Sequence, residues 1–449
     1  MSEEMNPLAA LNFKIVGRWN RARASIMTLP HGPVFTPVFM PVGTKGTIKG
    51  VTTEQMKNEP IDCQLFLGNT YHLSAHPGSD EVASFGGLHK YMDWDRNLLT
   101  DSGGFQMVSL LDLANITEEG VEFRDPVDGH QLLLTPEESI RCQMNIGADI
   151  MMALDDVVHS CRADYDRYKE ATFRTVRWLD RCLDTHKKGQ HNRGKYCNSY
   201  NLHQNSLADQ ETNQSEDPNI HGELSKLKEG EVVPQNLFPI VQGWLDTEKG
   251  GLRDICIQEF LKRDDQIPGY AIGGLAGGED KESFCRVVEF CTARLPEGKP
   301  RYVMGVGYPL DILVCSALGA DMYDCVYPTR TGRFGNAFIP AGMMRLKLNI
   351  YKDDERPIDE NCQCDTCKHY SRSMLNHLLK DEALGSILVT RHNLYYMIHF
   401  TRTMRQSIID GTFDSFCQQF MINYFPDYNY PEWAEKYLKI AGIELIHKH

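Results

Sequence analysis

The sequence predicts an α/β protein: a (β/α)8 barrel of the TIM type, with a β-hairpin cap at its N-terminus and a metal-binding subdomain near its C-terminus. Three observations carry this expectation. Eight short apolar runs bounded by turn residues alternate with helical patterns, and such alternation implies a parallel sheet closed into a barrel. Seven of the eight runs present a polar, glycine or sulfur group at the same end: Asn69, Asp101, Asp155, Gln242, Gly274, Met304 and Asp324. In a barrel that end is the active-site face. Finally, three cysteines crowd into one short segment outside the repeat.

The runs, in order, are "PVFMPVG", "QLFLGN" ending at Asn69, "LLTDSGG", "DIMMALDD" ending at Asp156, "LFPIVQG" ending at Gly243, "YAIGGL", "RYVMGVG" ending at Gly307, and "MYDCVYP". Helical starts lie between them. Thr135, Pro136 and Glu138 read as an N-cap, a first-turn proline and a capping box. Pro309 opens another helix, which Gly319 closes. "FKIVGRWNRARASIMTLPHG" reads as the capping hairpin, and "EFRDPVDGHQLLL" as a second hairpin turning at Asp128-Gly129. Nine of the thirty residues 189–218 are Asn or Gln, so the segment is expected to be a disordered, dispensable insertion after the fourth helix. The expected organisation is a barrel over 1–340, with that insertion at about 189–236, and a zinc-binding subdomain with closing helices over 341–449.

The chain has 449 residues, 41% of them hydrophobic, enough to bury a full core and a second small unit. No apolar run approaches the length of a membrane span. The N-terminal "MSEEMNPLAALNF" resembles neither a secretory nor a mitochondrial leader. Fourteen cysteines in that setting point to reduced thiols plus a metal site. A cytoplasmic location is therefore expected, free or peripheral on an organelle surface such as the mitochondrial outer membrane. The net charge of −14 argues against broad, non-specific nucleic-acid binding. A local basic patch remains open, since residues 325–405 hold twelve Lys/Arg against eight Asp/Glu.

Two segments carry chemistry. In "DMYDCVYPTRTGRFG", Asp324 sits inside an apolar strand that Pro328 is expected to end, with a polar, basic loop following. A carboxylate there costs several kcal/mol unless it is paired or put to use. It either closes a structural network or stands at a strand end facing a substrate. In "ENCQCDTCKHY", Cys362, Cys364 and Cys367 precede His392. Three thiolates and one imidazole fill a tetrahedral Zn²⁺ site and leave no open position, so the ion should be structural. His369, His377 and His399 are nearby alternatives for the fourth ligand.

Together, "NTYHL", "TDSGGFQ", "LDD", "VQG", "GYAIGGLAGGE", "YVMGVGYP", "DMYDCVYPTRTGRFG" and the Cys/Cys/Cys/His set resemble the tRNA-guanine transglycosylases. The likeness is greatest to the eukaryotic, queuine-inserting catalytic subunits. The resemblance covers nearly the whole chain and implies exchange of guanine for queuine at the first anticodon position, through a covalent glycosyl-enzyme. It makes Asp324 the nucleophile and Asp101 the general acid/base. Ser102, Gly103, Gly104, Phe105, Asp155, Gln242, Gly274, Leu275 and Met304 would bind the base, with Phe105 and Met304 on its two faces. Gly305, Val306, Gly307, Tyr308, Pro309, Leu310 and Asp311, with Thr329, Arg330, Thr331, Gly332 and Arg333, would meet RNA.

The implied partners are tRNAs of the Asp, Asn, His and Tyr type with GUN anticodons, and a non-catalytic paralogue forming a heterodimer. The alternative is that this chain is itself that scaffold, which should lack Asp101, Asp155, Gln242 and Asp324. Val157 and Gly277 stand where bacterial members carry other residues, and both lean towards a larger pocket suited to queuine. Trp244, in "VQGW", stands where the family has a small residue; it either crowds the loop beside Gln242 or points outwards.

Overall fold

The computed structural model describes residues 11–104, 115–124, 131–161, 164–190, 235–275 and 277–448. The chain opens with an antiparallel sheet of three strands, β1 (Asn12–Trp19), β2 (Ala22–Leu29) and β3 (Gly32–Thr36). The expected hairpin therefore gains a third strand. Gly32, at φ 114°, lets the chain reverse directly after Leu29, its partner in the ladder.

The barrel follows. Its first three positions are β4 (Val38–Gly43), β5 (Leu65–Gly68) and β6 (Asn97–Thr100). A small antiparallel sheet, β7 (Asn115–Ile116), β8 (Val121–Arg124) and β9 (Gln131–Leu134), is inserted next. β8 and β9 pair as the second expected hairpin, whose turn at Asp128-Gly129 lies outside the described residues. β10 (Ile150–Met152) is the fourth barrel position. The fifth is split: β11 (Asn236–Phe238) pairs with β10, and β12 (Ile240–Val241) pairs with β13 (Tyr270–Ile272). Pro239, between the halves, has no N–H for the ladder. β14 (Arg301–Val303) and β15 (Met322–Cys325) complete the set, and β15 pairs in parallel with β4 to close the ring. All eight apolar runs are thus parallel barrel strands.

Side-chain alternation decides what faces the lumen. Leu65 and Leu67, Leu99, Ile240 and Met322 belong to the interior cluster, which β2 and β3 plug from below through Met27, Leu29 and Val34. Two residues further along each strand stand Asn69, Asp101, Gln242 and Asp324. Tyr323, between Met322 and Asp324, points outward, and its hydroxyl lies 2.7 Å from Ser316 Oγ.

The helices that matter here are α1 (Pro136–Ile146), α2 (Tyr165–Gln190), α3 (Leu252–Leu261), α4 (Lys281–Thr292), α5 (Pro309–Ala317), α6 (Tyr327–Arg333) and α7 (Ala383–Ile409). Thr135 caps α1 by accepting from Glu138 N, but the Glu138 carboxylate turns to Arg141, so only half the capping box forms. α5 begins at Pro309 and is followed by Gly319 at φ 98°. The stretch after Asp324 is not the loop expected. Pro328 falls in the first turn of α6, where its missing N–H leaves nothing unpaired. α6 lies so close to α7 that a Cβ on Gly332 would sit 2.8 Å from the Thr390 Cα. Most of the Asn/Gln-rich insertion lies outside the described residues.

The opposite, N-terminal end of the barrel is held by buried charge. Arg23 donates to both Asp321 oxygens, at 2.8 and 2.5 Å, and Arg301 N donates to Oδ2 at 2.7 Å. Nearby, His31 and His89 flank Asp149. Their rings stack at 3.8 Å with 15° between planes, so their in-plane lone pairs cannot converge on one metal ion. The trio is a hydrogen-bonded clasp. Among the described residues, no helix is long and apolar enough to cross a membrane.

Candidate active site and metal centre

Asp324 stands half-buried one residue before the end of β15, where Tyr302 Oη donates to its Oδ1 at 2.5 Å and Gly305 N donates to the same oxygen at 2.8 Å. Burial raises the Asp324 carboxyl above the usual carboxylate range, and these two donors pull it back. Tyr302 is fully buried. Its own proton is held tightly, first by desolvation and then by the Asp324 charge, with Asp101 adding to the effect.

Asp101 follows β6 and is braced on both oxygens. Asn69 Nδ2 donates to Oδ2 at 2.6 Å, while Thr70 N and Gly103 N donate to Oδ1 at 2.9 and 3.2 Å. Gly103 reaches that position at φ 83°, a conformation open to glycine.

The end of the split strand meets the end of β10. Gln242 Nε2 donates to Asp155 Oδ2 at 2.7 Å, and Ser102 Oγ donates to Oδ1 at 3.4 Å. Burial pushes the Asp155 carboxyl up to about 7; the Gln242 bond works against the rise and the neighbouring Asp156 charge adds to it. Asp156 itself turns away, paired with Arg167 and Arg174 of α2. Gly274, at φ 67°, leaves no room for a side chain, since a Cβ would come within 2.3 Å of Gln242 Oε1. A Cβ on Gly104 would press on Leu154 at 2.9 Å. Leu275 is buried, and Met304 is half-buried against the barrel interior. Phe105 lies outside the described residues.

The residues expected to meet RNA separate by exposure. Arg330, Arg333, Gly305 and Tyr308 are exposed. Thr329, Thr331, Gly332, Val306, Gly307, Pro309, Leu310 and Asp311 are buried. The Thr331 hydroxyl donates to Tyr327 O, and Asp311 takes Lys281 Nζ at 2.5 Å. Sequence reasoning overlooked Tyr302 as the partner of Asp324, although "RYVMGVG" contained it. Strand periodicity was the available signal, since Tyr302 occupies an inward position.

Cys362, Cys364 and Cys367 place their Sγ atoms 3.7, 3.4 and 3.4 Å from His392 Nδ1. A tetrahedral Zn²⁺ with Zn–S of about 2.3 Å and Zn–N of about 2.0 Å requires an S···N separation of about 3.5 Å, so the donor set fits. His392 Nε2 lies 2.7 Å from Phe338 O, which fixes the ring and aims Nδ1 at the thiols. Two of the three alternatives are occupied elsewhere: His399 Nε2 meets Pro60 O, and His377 Nδ1 meets Ser373 O.

A (β/α)8 barrel with carboxylates at its C-terminal mouth and a Cys3His cluster able to hold a metal ion defines a barrel enzyme with an accessory ligand set. The family model for queuine tRNA-ribosyltransferase matches residues 19–215 and 220–426. The queuine tRNA-ribosyltransferase catalytic subunit of Schizosaccharomyces pombe is 44% identical over 448 residues, covering 97% of this chain and 98% of that one. The Caenorhabditis elegans catalytic subunit is 43% identical over 92% of this chain and 91% of its own. The queuine tRNA-ribosyltransferase of Natranaerobius thermophilus is 42% identical over 90% and 96%. The chain belongs to the queuine tRNA-ribosyltransferase family.

Proposed function

We propose that this chain exchanges guanine at the first anticodon position of GUN-anticodon tRNAs for queuine, through an ester between Asp324 and the ribose. The observation that carries the reading is the Asp324 carboxylate at the lumen end of β15, with Tyr302 and Gly305 both donating to Oδ1. Oδ2 is then the nucleophile. The target nucleotide leaves the anticodon stack to reach it. Oδ2 bonds to C1′ as the C1′–N9 bond breaks, and the bonding pair departs with guanine. Asp101 gives that base a proton and recovers one from N9 of the entering queuine, whose N9 then displaces the carboxylate. Two inversions give net retention. A closed pocket keeps water from the ester.

Asp155, as the carboxylate, accepts from the N–H edge of the base, and Gln242 donates to its carbonyl. Gly274 and Leu275 offer backbone groups, and Phe105 and Met304 cover the two faces of the ring. Arg330 and Arg333, exposed on α6, bind the RNA backbone. Structural zinc held by Cys362, Cys364, Cys367 and His392 would tie the 362–367 segment to α7, while His392 Nε2 meets Phe338 O. The functional unit is a heterodimer with a non-catalytic paralogue, in the cytoplasm or on an organelle surface. The scaffold alternative is disfavoured because Asp101, Asp155, Gln242 and Asp324 are all present.

The test follows labelled queuine into an unmodified GUN-anticodon tRNA, using the chain alone and with its paralogue. Incorporation by the parent and none by Asp324→Asn is expected. A parent silent in both settings, while still binding tRNA, would favour the scaffold.

A further inference from the structure

Trp244 lies in the left-handed region at φ 53°, directly after Gly243 at φ 129°. A bulky aromatic residue rarely adopts that conformation, and such strain persists only where the surroundings hold it. Two contacts do so. The indole stacks on Tyr168 of α2, with centroids 4.9 Å apart and 15° between planes. Its Nε1 donates to Ser160 O at 2.7 Å. The side chain neither crowds Gln242 nor points outwards; it reaches across to the loop that follows Asp155.

Ser160 is where three strand-end loops meet. Its carbonyl takes Trp244 from the loop after β12. Its hydroxyl donates at 2.7 Å to Glu279 Oε2, which also accepts from Gly277 N at 2.9 Å, in the loop after β13. That loop closes directly onto Ser160, because a Cβ on Gly277 would lie 2.4 Å from Ser160 Oγ. Tyr168 Oη fixes the next carbonyl back, His159 O, at 2.6 Å. From the other side, Arg253 donates to Trp244 O, Val241 O and Gly273 O at 2.7, 2.7 and 2.8 Å, tying the ends of β12 and β13 to the same assembly. The strands joined in this way are those that end in Asp155, Gln242 and Gly274.

We propose that Trp244 and Ser160 form a clasp that positions the 157–161 loop against the 277–279 loop, and so determines selection for the substituent at C7 that distinguishes queuine from guanine. This rests on the reading of Asp155 and Gln242 as the base-binding pair. Val157 and Gly277 sit on the two clasped loops. Releasing either tie lets the wall facing the substituent drift, while Asp155 and Gln242 keep their mutual hydrogen bond. Trp244 and Ser160 are positioning residues; neither needs to touch the base.

The test uses the full-length chain with its paralogous subunit, the variants Trp244→Phe and Ser160→Ala, and labelled queuine and labelled guanine on one tRNA. Trp244→Phe keeps a ring for Tyr168 and removes the N–H; Ser160→Ala removes only the tie to Glu279. For both, KM for queuine should rise by about tenfold, as expected when one hydrogen bond that orders the loop is lost. KM for guanine and kcat with either base should stay near the parent values. Unchanged constants, or equal losses with both bases alongside a lower melting temperature, overturn the clasp and leave a structural role. Should Trp244→Phe fail to fold, Ser160→Ala decides alone. A parent that exchanges neither base overturns the underlying reading together with the clasp, an outcome distinct from an active parent with indifferent variants.

Discussion

Replacing Asp155 by asparagine separates the stability of the barrel from the reading of the base. Raising this buried carboxyl from 3.8 to about 7 makes its charged form about 4 kcal/mol costlier in the fold than in the unfolded chain. Between those two values the folded protein keeps a proton that the unfolded chain has lost. The contribution of Asp155 to stability therefore falls as pH rises through that window and levels off above about 7. Asparagine has no such dependence, and its amide can still accept from Gln242 Nε2 and donate to Ser102 Oγ. Melting of parent and variant should coincide near pH 4. At pH 8 the variant should be the more stable, by up to about 4 kcal/mol.

Base exchange should move in the opposite direction. The N–H edge of the base needs the charged carboxylate, so the parent gains kcat/KM as pH rises through about 7. The variant should lose that rise and roughly 10- to 100-fold in base affinity, the worth of hydrogen bonds to a charged group. A difference in melting temperature that does not change with pH, or a variant less stable at pH 8, would refute the reasoning.

Tyr302→Phe removes the phenol that lowers the Asp324 pKa; kcat should fall by about tenfold or more with little change in KM, and the acidic limb of the pH–rate profile should move to higher pH. Arg23→Leu strands the Asp321 carboxylate inside the barrel, at an expected cost of about 3–5 kcal/mol measured by denaturant unfolding; a neutral result would show that the pair is dispensable. Metal analysis of the purified chain should find one zinc per molecule. Cys364→Ser should abolish it and lower the melting temperature, whereas His399→Ala should leave the zinc in place.

The barrel was legible because strand burial and helix capping leave local marks. Each apolar run is short and bounded by turn residues, and four of them place a polar group two steps beyond an inward apolar residue, as with Met322 and Asp324. Cysteine spacing marked three metal ligands outright. His392 was named as the fourth ligand over its neighbours, and the contact of its Nε2 with Phe338 O, which aims Nδ1 at the thiols, agrees with that choice. The third strand of the N-terminal sheet was missed because "GPVFTPVFM" reads as one run, although the chain changes sheets between Thr36 and Val38. The helix after Asp324 was missed because Pro328 and Gly332 look like breakers. Proline is tolerated in a first turn, and Gly332 is the residue small enough for α6 to approach α7. The roles of Trp244, Ser160 and Arg253 depend on contacts between distant loops, which no local pattern encodes.

The most direct test of the central claim is to quench the chain with unmodified GUN-anticodon tRNA in denaturant and locate any covalent RNA–protein linkage by mass spectrometry. The account predicts a ribose ester on the peptide containing Asp324, lost in Asp324→Asn and reversed by added guanine before quenching. An adduct on another residue, or base exchange by Asp324→Asn at the parent rate, would contradict it.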